Sequence, residues 1–148
     1  MISHLVDTSL LVRQADTSSE KRLVTLAALQ RLPKDGDLLR VLPQNMMEFW
    51  VVATRPHSSN GLGLSIADAE GERQRLERLF PLLPDPPDLY LRWVQLVNHF
   101  GVSGKPAHDA RIVAAMLYHV LSHILTFNGR DFLRYAPLGI IVVDPESI

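Results

Sequence analysis

The 148-residue chain contains no cysteine. That absence excludes disulfide frameworks, thiolate zinc sites and cysteine nucleophiles together, and it permits a reducing compartment. Long apolar runs are missing as well, since none approaches the roughly 18 residues of a membrane span. The opening stretch MISHLVDTSLLVR lacks a basic region, a long apolar segment and a small-residue cleavage pattern. The expectation is a cytoplasmic protein with no membrane segment. An excess of one charge is also absent. A net charge of -1 leaves no global footprint for nucleic acid, so any binding of a polyanion must rest on a local patch. Lysine is scarce, three against twelve arginines. Arginine suits bidentate phosphate contacts, but a GC-rich genome accounts for the same skew equally well. The glycine-containing stretch His57 to Leu64 lacks the lysine and spacing of a phosphate-binding loop and reads as a connector.

With 47% hydrophobic residues, a chain of this length is expected to form one domain over residues 1–148 with a real core. Ile2 to Val6 reads as a strand buried on both faces, ending at Asp7. Thr8 and Ser9 then suit a helix start, which places Asp7 at the carboxyl end of a central strand. Ser18 to Leu32 has helical character and stops at Pro33 and Gly36, and Leu38 to Leu42 forms a second strand before Pro43. Met46 to Ala53 is apolar all round except for Glu48, so the spacing predicts a helix buried on most sides. A lone carboxylate in that setting requires a partner: Arg55, another donor or a metal. Ser65 to Asp68 carries a capping pattern ahead of a helix with Ile66, Ala69, Leu76 and Phe80 at helical spacing and an Arg/Glu face of local ion pairs. After PLLPDPPD, a helix with Leu89, Trp93, Leu96, Val97 and Phe100 on its buried side ends at Gly101.

The organising stretch is HDARIVAAMLYHVLSHILTFNGRDF, residues 108–132. At about 100° per residue, Ile112, Val113, Met116 and Val120 share a side with Asp109, at the head of a buried stripe. An ordinary helix-start aspartate fits that position as well as a site residue does. His123 to Phe127 reads as an interior strand ending in Asn128 to Asp131, and Gly139 to Val143 as a last strand. Alternating strands and helices define an α/β class with a mostly parallel sheet. On that frame Asp7, Glu48, Asp109 and Asp131 stand out. Like charges about 4 Å apart repel by about 4 kcal/mol at an effective dielectric of 20, so converging carboxylates call for a divalent cation. An all-oxygen ligand set favours Mg2+ or Mn2+ over zinc, and the implied chemistry is phosphodiester hydrolysis.

The sequence resembles the PIN-domain nucleases, in particular the VapC-like toxins of type II toxin-antitoxin pairs. The resemblance rests on Asp-Thr-Ser after the first strand, Glu48 in QNMMEFW, HDARIVAAM, and LTFNGRDF before a short final strand. It covers nearly the whole chain. It implies a three-layer fold with a central, mostly parallel sheet of four or five strands flanked by helices. It also implies metal-binding and catalytic acids at Asp7, Glu48, Asp109 and Asp131, with Asn128 as a neighbouring candidate and Ser9 or Thr126 as auxiliary hydroxyls. RNA is the implied substrate, with Mg2+ or Mn2+ as cofactor, a cognate antitoxin as partner and a homodimer as assembly. Arg13, Arg55, Lys105 and Arg130 are the basic residues closest in sequence to the acid-bearing segments and are expected to form a phosphate-binding rim. Phe49 and Trp50, pointing away from Glu48, are expected to be covered by the core or by another chain. An aspartyl-phosphate phosphatase also places an Asp after its first strand, but it wants a second acid two residues on, where this chain has Ser9, and a later lysine. A non-catalytic PIN-like scaffold for RNA or protein is the competing reading, and it would be expected to lose one or more of the acids.

Overall fold

The computed structural model describes all of residues 1–148. Four short strands form one sheet: β1 (Ser3–Val6), β2 (Leu38–Arg40), β3 (His123–Leu125) and β4 (Ile141–Val143). Their order is β2-β1-β3-β4, and every pairing is parallel, with Leu5 opposite Arg40 on one side and Ile124 on the other. Parallel strands need covered crossovers, and six helices supply them. They are α1 (Thr8–Ala15), α2 (Arg22–Lys34), α3 (Pro43–Thr54), α4 (Ile66–Leu79), α5 (Leu89–His99) and α6 (Pro106–Tyr118). A 3-10 run over Gly129–Leu138 links β3 to β4.

Side chains alternate across the sheet, and the core divides accordingly into two layers. Leu5 and Ile124 pack with Ile112, Val113, Met116, Phe132 and Tyr135 beneath α5, α6 and the 3-10 run. Val6 and Leu125 pack with Leu10, Leu11, Phe49, Ala53, Ala69 and Leu76 beneath α1, α3 and α4. The result is a three-layer α/β fold with a fully parallel, four-stranded sheet.

Several elements depart from the sequence pattern. The strands are shorter than the apolar runs: β2 ends at Arg40, with Val41 bridging Leu82 instead, and β3 ends at Leu125. Helix α2 begins at Arg22 and carries Pro33 within its last turn. Helix α6 starts at Pro106, so Asp109 lies in its first turn, three residues after the start. It ends at Tyr118, where Val120 takes a positive φ of 55° and is 88% exposed. Val120 therefore does not belong to the buried stripe. Its N–H donates to the Leu117 carbonyl, and Leu121 N–H reaches back to Met116, a Schellman-type stop that needs a left-handed residue but finds valine there.

Helix α3 is less enclosed than its composition suggests. Phe49 is fully buried in the core, Trp50 is half-buried against the same layer, and Met47 and Val51 are the apolar side chains left exposed. The polar face of α4 follows the sequence expectation, with Arg73 pairing to Glu70 and Glu77, and Arg75 to Glu72 at 2.9 Å. No helix is long and apolar enough to cross a membrane.

Candidate metal centre

In an open parallel sheet the connections from neighbouring strands diverge where the strand order reverses, leaving a crevice beyond the carboxyl ends. Here that point lies between β1 and β3, because the chain leaves β1 toward β2 on one side and later returns to β3 on the other. Asp7 and Thr126 are the residues that follow those two strands. The Asp7 N–H continues the ladder to the Leu125 carbonyl at 3.0 Å, which fixes where its side chain emerges.

Asp7 is 7% exposed. Its Oδ2 accepts hydrogen bonds from Thr126 Oγ1 at 2.7 Å and Ser9 Oγ at 3.1 Å. Both hydroxyls are held in turn, Ser9 Oγ by the Phe127 N–H at 3.3 Å and Thr126 Oγ1 by the Asn128 N–H at 2.9 Å. Ser9 and Thr126 thus turn their protons onto the aspartate. Burial raises the Asp7 pKa above the usual carboxylate range, and the Thr126 and Ser9 hydroxyls, followed by the N–H groups at the start of α1, pull it back.

Glu48, half-buried on α3, accepts from Thr8 Oγ1 at 2.9 Å. Asn45, fully buried one turn earlier, approaches the same Thr8 hydroxyl with Nδ2 at 3.4 Å and accepts the Leu42 N–H at 3.0 Å. Arg55 is not the partner of Glu48; its guanidinium donates to the Asn60 carbonyl at 3.2 Å. Thr8 fills the place left open to another donor, and nothing in the spacing of residues 40 apart announces that contact.

Asp109 faces the same crevice from α6. Its pKa is pushed up to about 7, first by burial and then by the negative charges of Asp131, Asp7 and Glu48, with Arg134 opposing. The other three acids therefore all lie within electrostatic reach of Asp109. A cleft of about 450 Å³ is lined by Asp7, Ser9, Arg13, Glu48, Asp109 and Asn128, among others. Asp131 is exposed on the 3-10 run and acts on Asp109 from beside the cleft, whereas Asn128 lines it. No three acidic or histidine side chains close into a ready coordination cluster.

Of the four basic residues, the structure brings one into the cleft. Arg13 lies over the Phe127 ring at 4.9 Å and reaches the Ser9 carbonyl at 3.5 Å. Lys105 and Arg130 are exposed on neighbouring turns, and Arg55 is committed to its own loop. Arg134, whose charge reaches Asp109, is a site neighbour that the sequence reading did not single out. Its signal was its spacing, three residues after Asp131, one turn of a 3-10 helix.

The donors fit a hard divalent cation. They are oxygens alone, the buried Asp7 carries an unpaired desolvation cost, and the mutual repulsion at Asp109 is of the kind a bound cation relieves. A four-stranded parallel α/β domain with acids gathered at its switch point defines the class. The PIN domain family model matches residues 4–138, and the chain belongs to that family. No curated protein matches the sequence. Solved structures similar to this one include FitAcB from Neisseria gonorrhoeae, with 18% identity, complete coverage of both chains and a TM-score of 0.69. VapBC-1 from nontypeable Haemophilus influenzae shows 15% identity over 97% of this chain and 98% of the other, at a TM-score of 0.67. VapC20 from Mycobacterium tuberculosis, described as a Sarcin-Ricin loop cleaving toxin, shows 16% identity over 93% and 95%, also at 0.67. At these identities the likeness concerns the fold.

Proposed function

We propose that this protein is a divalent-metal-dependent endoribonuclease, the toxin of a VapBC-like toxin-antitoxin pair. The observation that carries the reading is the gathering of Asp7, Glu48 and Asp109 around one open cleft with Asp131 beside it, where burial first and the three neighbouring charges second lift Asp109 to about 7. Structural neighbours that are toxins or toxin-antitoxin complexes support it.

Asp7 and Asp109 would hold Mg2+ or Mn2+, with Glu48 and Asp131 completing its charge balance directly or through water. When bound, such an ion supplies Lewis-acid stabilisation and an activated water for phosphodiester hydrolysis. The chain's own residues do the positioning. Thr126 and Ser9 fix the Asp7 carboxylate through its Oδ2. Thr8 and Asn45 fix Glu48. Arg13, stacked on Phe127, offers its guanidinium to a phosphate of the substrate. An antitoxin segment bearing an arginine would silence the site by supplying the positive charge the acids lack. A homodimer and a cytoplasmic location complete the proposal.

The competing reading is a non-catalytic RNA- or protein-binding scaffold, which is expected to lose one or more of the acids, and all four are present. One experiment separates the two. Purified protein should cleave RNA with Mg2+ or Mn2+ and stop on chelation, and Asp7→Asn and Asp109→Asn should each abolish cleavage while remaining folded. Full activity in Asp109→Asn would refute the site assignment, and RNA binding without cleavage at any metal concentration would establish the scaffold. Suppression of cleavage by a small DNA-binding protein encoded upstream would test the toxin half separately.

A further inference from the structure

A second cleft, of about 390 Å³, opens on the far flank of α6 and is lined by Leu89, Tyr90, Trp93, Ala107, His108 and Arg111. That volume falls in the range of small-ligand clefts. Its aromatic wall is preformed: the Tyr90 and Trp93 rings stack with centroids 6.0 Å apart and an interplanar angle of 30°. Tyr90 is 71% exposed, so packing of the core does not account for its position. Trp93 is held by its indole N–H, which donates to the Ala107 carbonyl at 2.7 Å.

The opposite wall is equally fixed. Arg111 donates to Gln44 Oε1 at 3.0 Å and to Asp85 Oδ2 at 2.9 Å, and Gln44 Nε2 donates to the His108 carbonyl at 2.8 Å. These bonds tie α6 to α3, the helix that carries Glu48. At about 100° per residue, His108 and Arg111 share one flank of α6 and Asp109 falls on the other. The two clefts are therefore separated by the first turn of a single helix, about 10 Å across. The exposed Lys105 lies at that turn.

We propose that the Tyr90–Trp93 cleft is a stacking subsite for an unpaired base of the RNA strand whose phosphodiester lies in the acidic cleft. An exposed aromatic face is a usual platform for a splayed-out base, and it tolerates any sequence because every base has a π-face. The strand would cross the first turn of α6 between the two clefts, with Lys105 beside its backbone. This inference rests on the nuclease reading and adds the requirement that the substrate be single-stranded where it is held.

The test uses the uncleaving Asp7→Asn protein and a fluorescently labelled, unstructured oligouridylate, read by anisotropy. Tyr90→Ala is expected to weaken binding about tenfold, and Tyr90→Phe to retain it. An abasic scan of the oligonucleotide should find one position whose loss matches Tyr90→Ala and has no further effect in that variant. Equal affinity for Tyr90→Ala and its parent, with Arg13→Gln still weakening binding, would overturn the subsite and leave the nuclease reading standing. Failure of the parent to bind, together with no cleavage by the unmutated protein, would overturn both.

Discussion

Replacing Asp109 by asparagine should stabilise the metal-free protein, and by an amount that grows with pH. The Asp109 carboxyl has an ordinary value of 3.8 and is lifted to about 7, chiefly by burial and then by Asp131, Asp7 and Glu48. A group whose folded-state pKa is raised favours folding while it is protonated. That contribution is complete below about pH 4 and is lost as pH rises through about 7, when the native state must carry the charge. The full displacement corresponds to about 4 kcal/mol at about 1.4 kcal/mol per tenfold change in proton affinity. Because Asp109 is only half-buried and solvent screens it, about 2 kcal/mol is the realistic expectation. Asparagine is neutral throughout, so the variant and the parent should be close in stability at about pH 4 and separate progressively by about pH 8. For a domain of this size the gap amounts to about 5 °C in Tm. Thermal unfolding in chelator at the two pH values measures it directly. An equal difference at both, or a less stable variant at pH 8, would refute the argument that burial and the neighbouring acids disfavour the Asp109 carboxylate. Adding Mg2+ or Mn2+ should raise the Tm of the parent and leave Asp109→Asn nearly unmoved.

Two further outcomes are expected. Arg13→Gln should weaken RNA binding and lower the salt slope by about 0.7 for a single strand, while Arg55→Gln, whose guanidinium serves the Asn60 loop, should leave the slope unchanged; a titration of affinity against salt decides. Val120→Gly should stabilise the fold by about 0.5–1 kcal/mol in denaturant unfolding, because relief of the left-handed strain exceeds the added freedom of the unfolded chain, and a loss of stability would show that valine at this position is compensated.

Much of this architecture was readable because strand ends announce themselves chemically. An apolar run stopped by Asp-Thr-Ser, and another stopped by Asn128 to Asp131, mark the carboxyl edges of β1 and, two residues late, β3. What composition could not convey is which neighbour each acid meets. The bond between Thr8 and Glu48 depends on how α1 and α3 cross, and the diversion of Arg55 to Asn60 depends on the turn that follows α3. The end of α6 was hidden for a different reason. Helix stops are usually marked by glycine, and here valine occupies the left-handed position, so the apolar pattern ran on past the true terminus. Helix α3 looked buried on most sides because periodicity cannot report that Met47 and Val51 face outward.

The strand order has a consequence for when the protein acquires its site. Thr126 and Asp7 are 119 residues apart in sequence yet joined by a 2.7 Å hydrogen bond, because β3 inserts beside β1 only after both α5 and α6 have been made. A chain emerging from the ribosome carries Asp7 and Glu48 early. Asp109 is added only when nearly three-quarters of it has been synthesised, and Thr126, whose hydroxyl joins Ser9 in orienting Asp7, only after more than four-fifths. Until β3 arrives, β1 is paired on one edge only, with β2, and its other edge stays open. On the nuclease reading, C-terminal truncation before β3 should therefore yield an inert chain however well its six helices form.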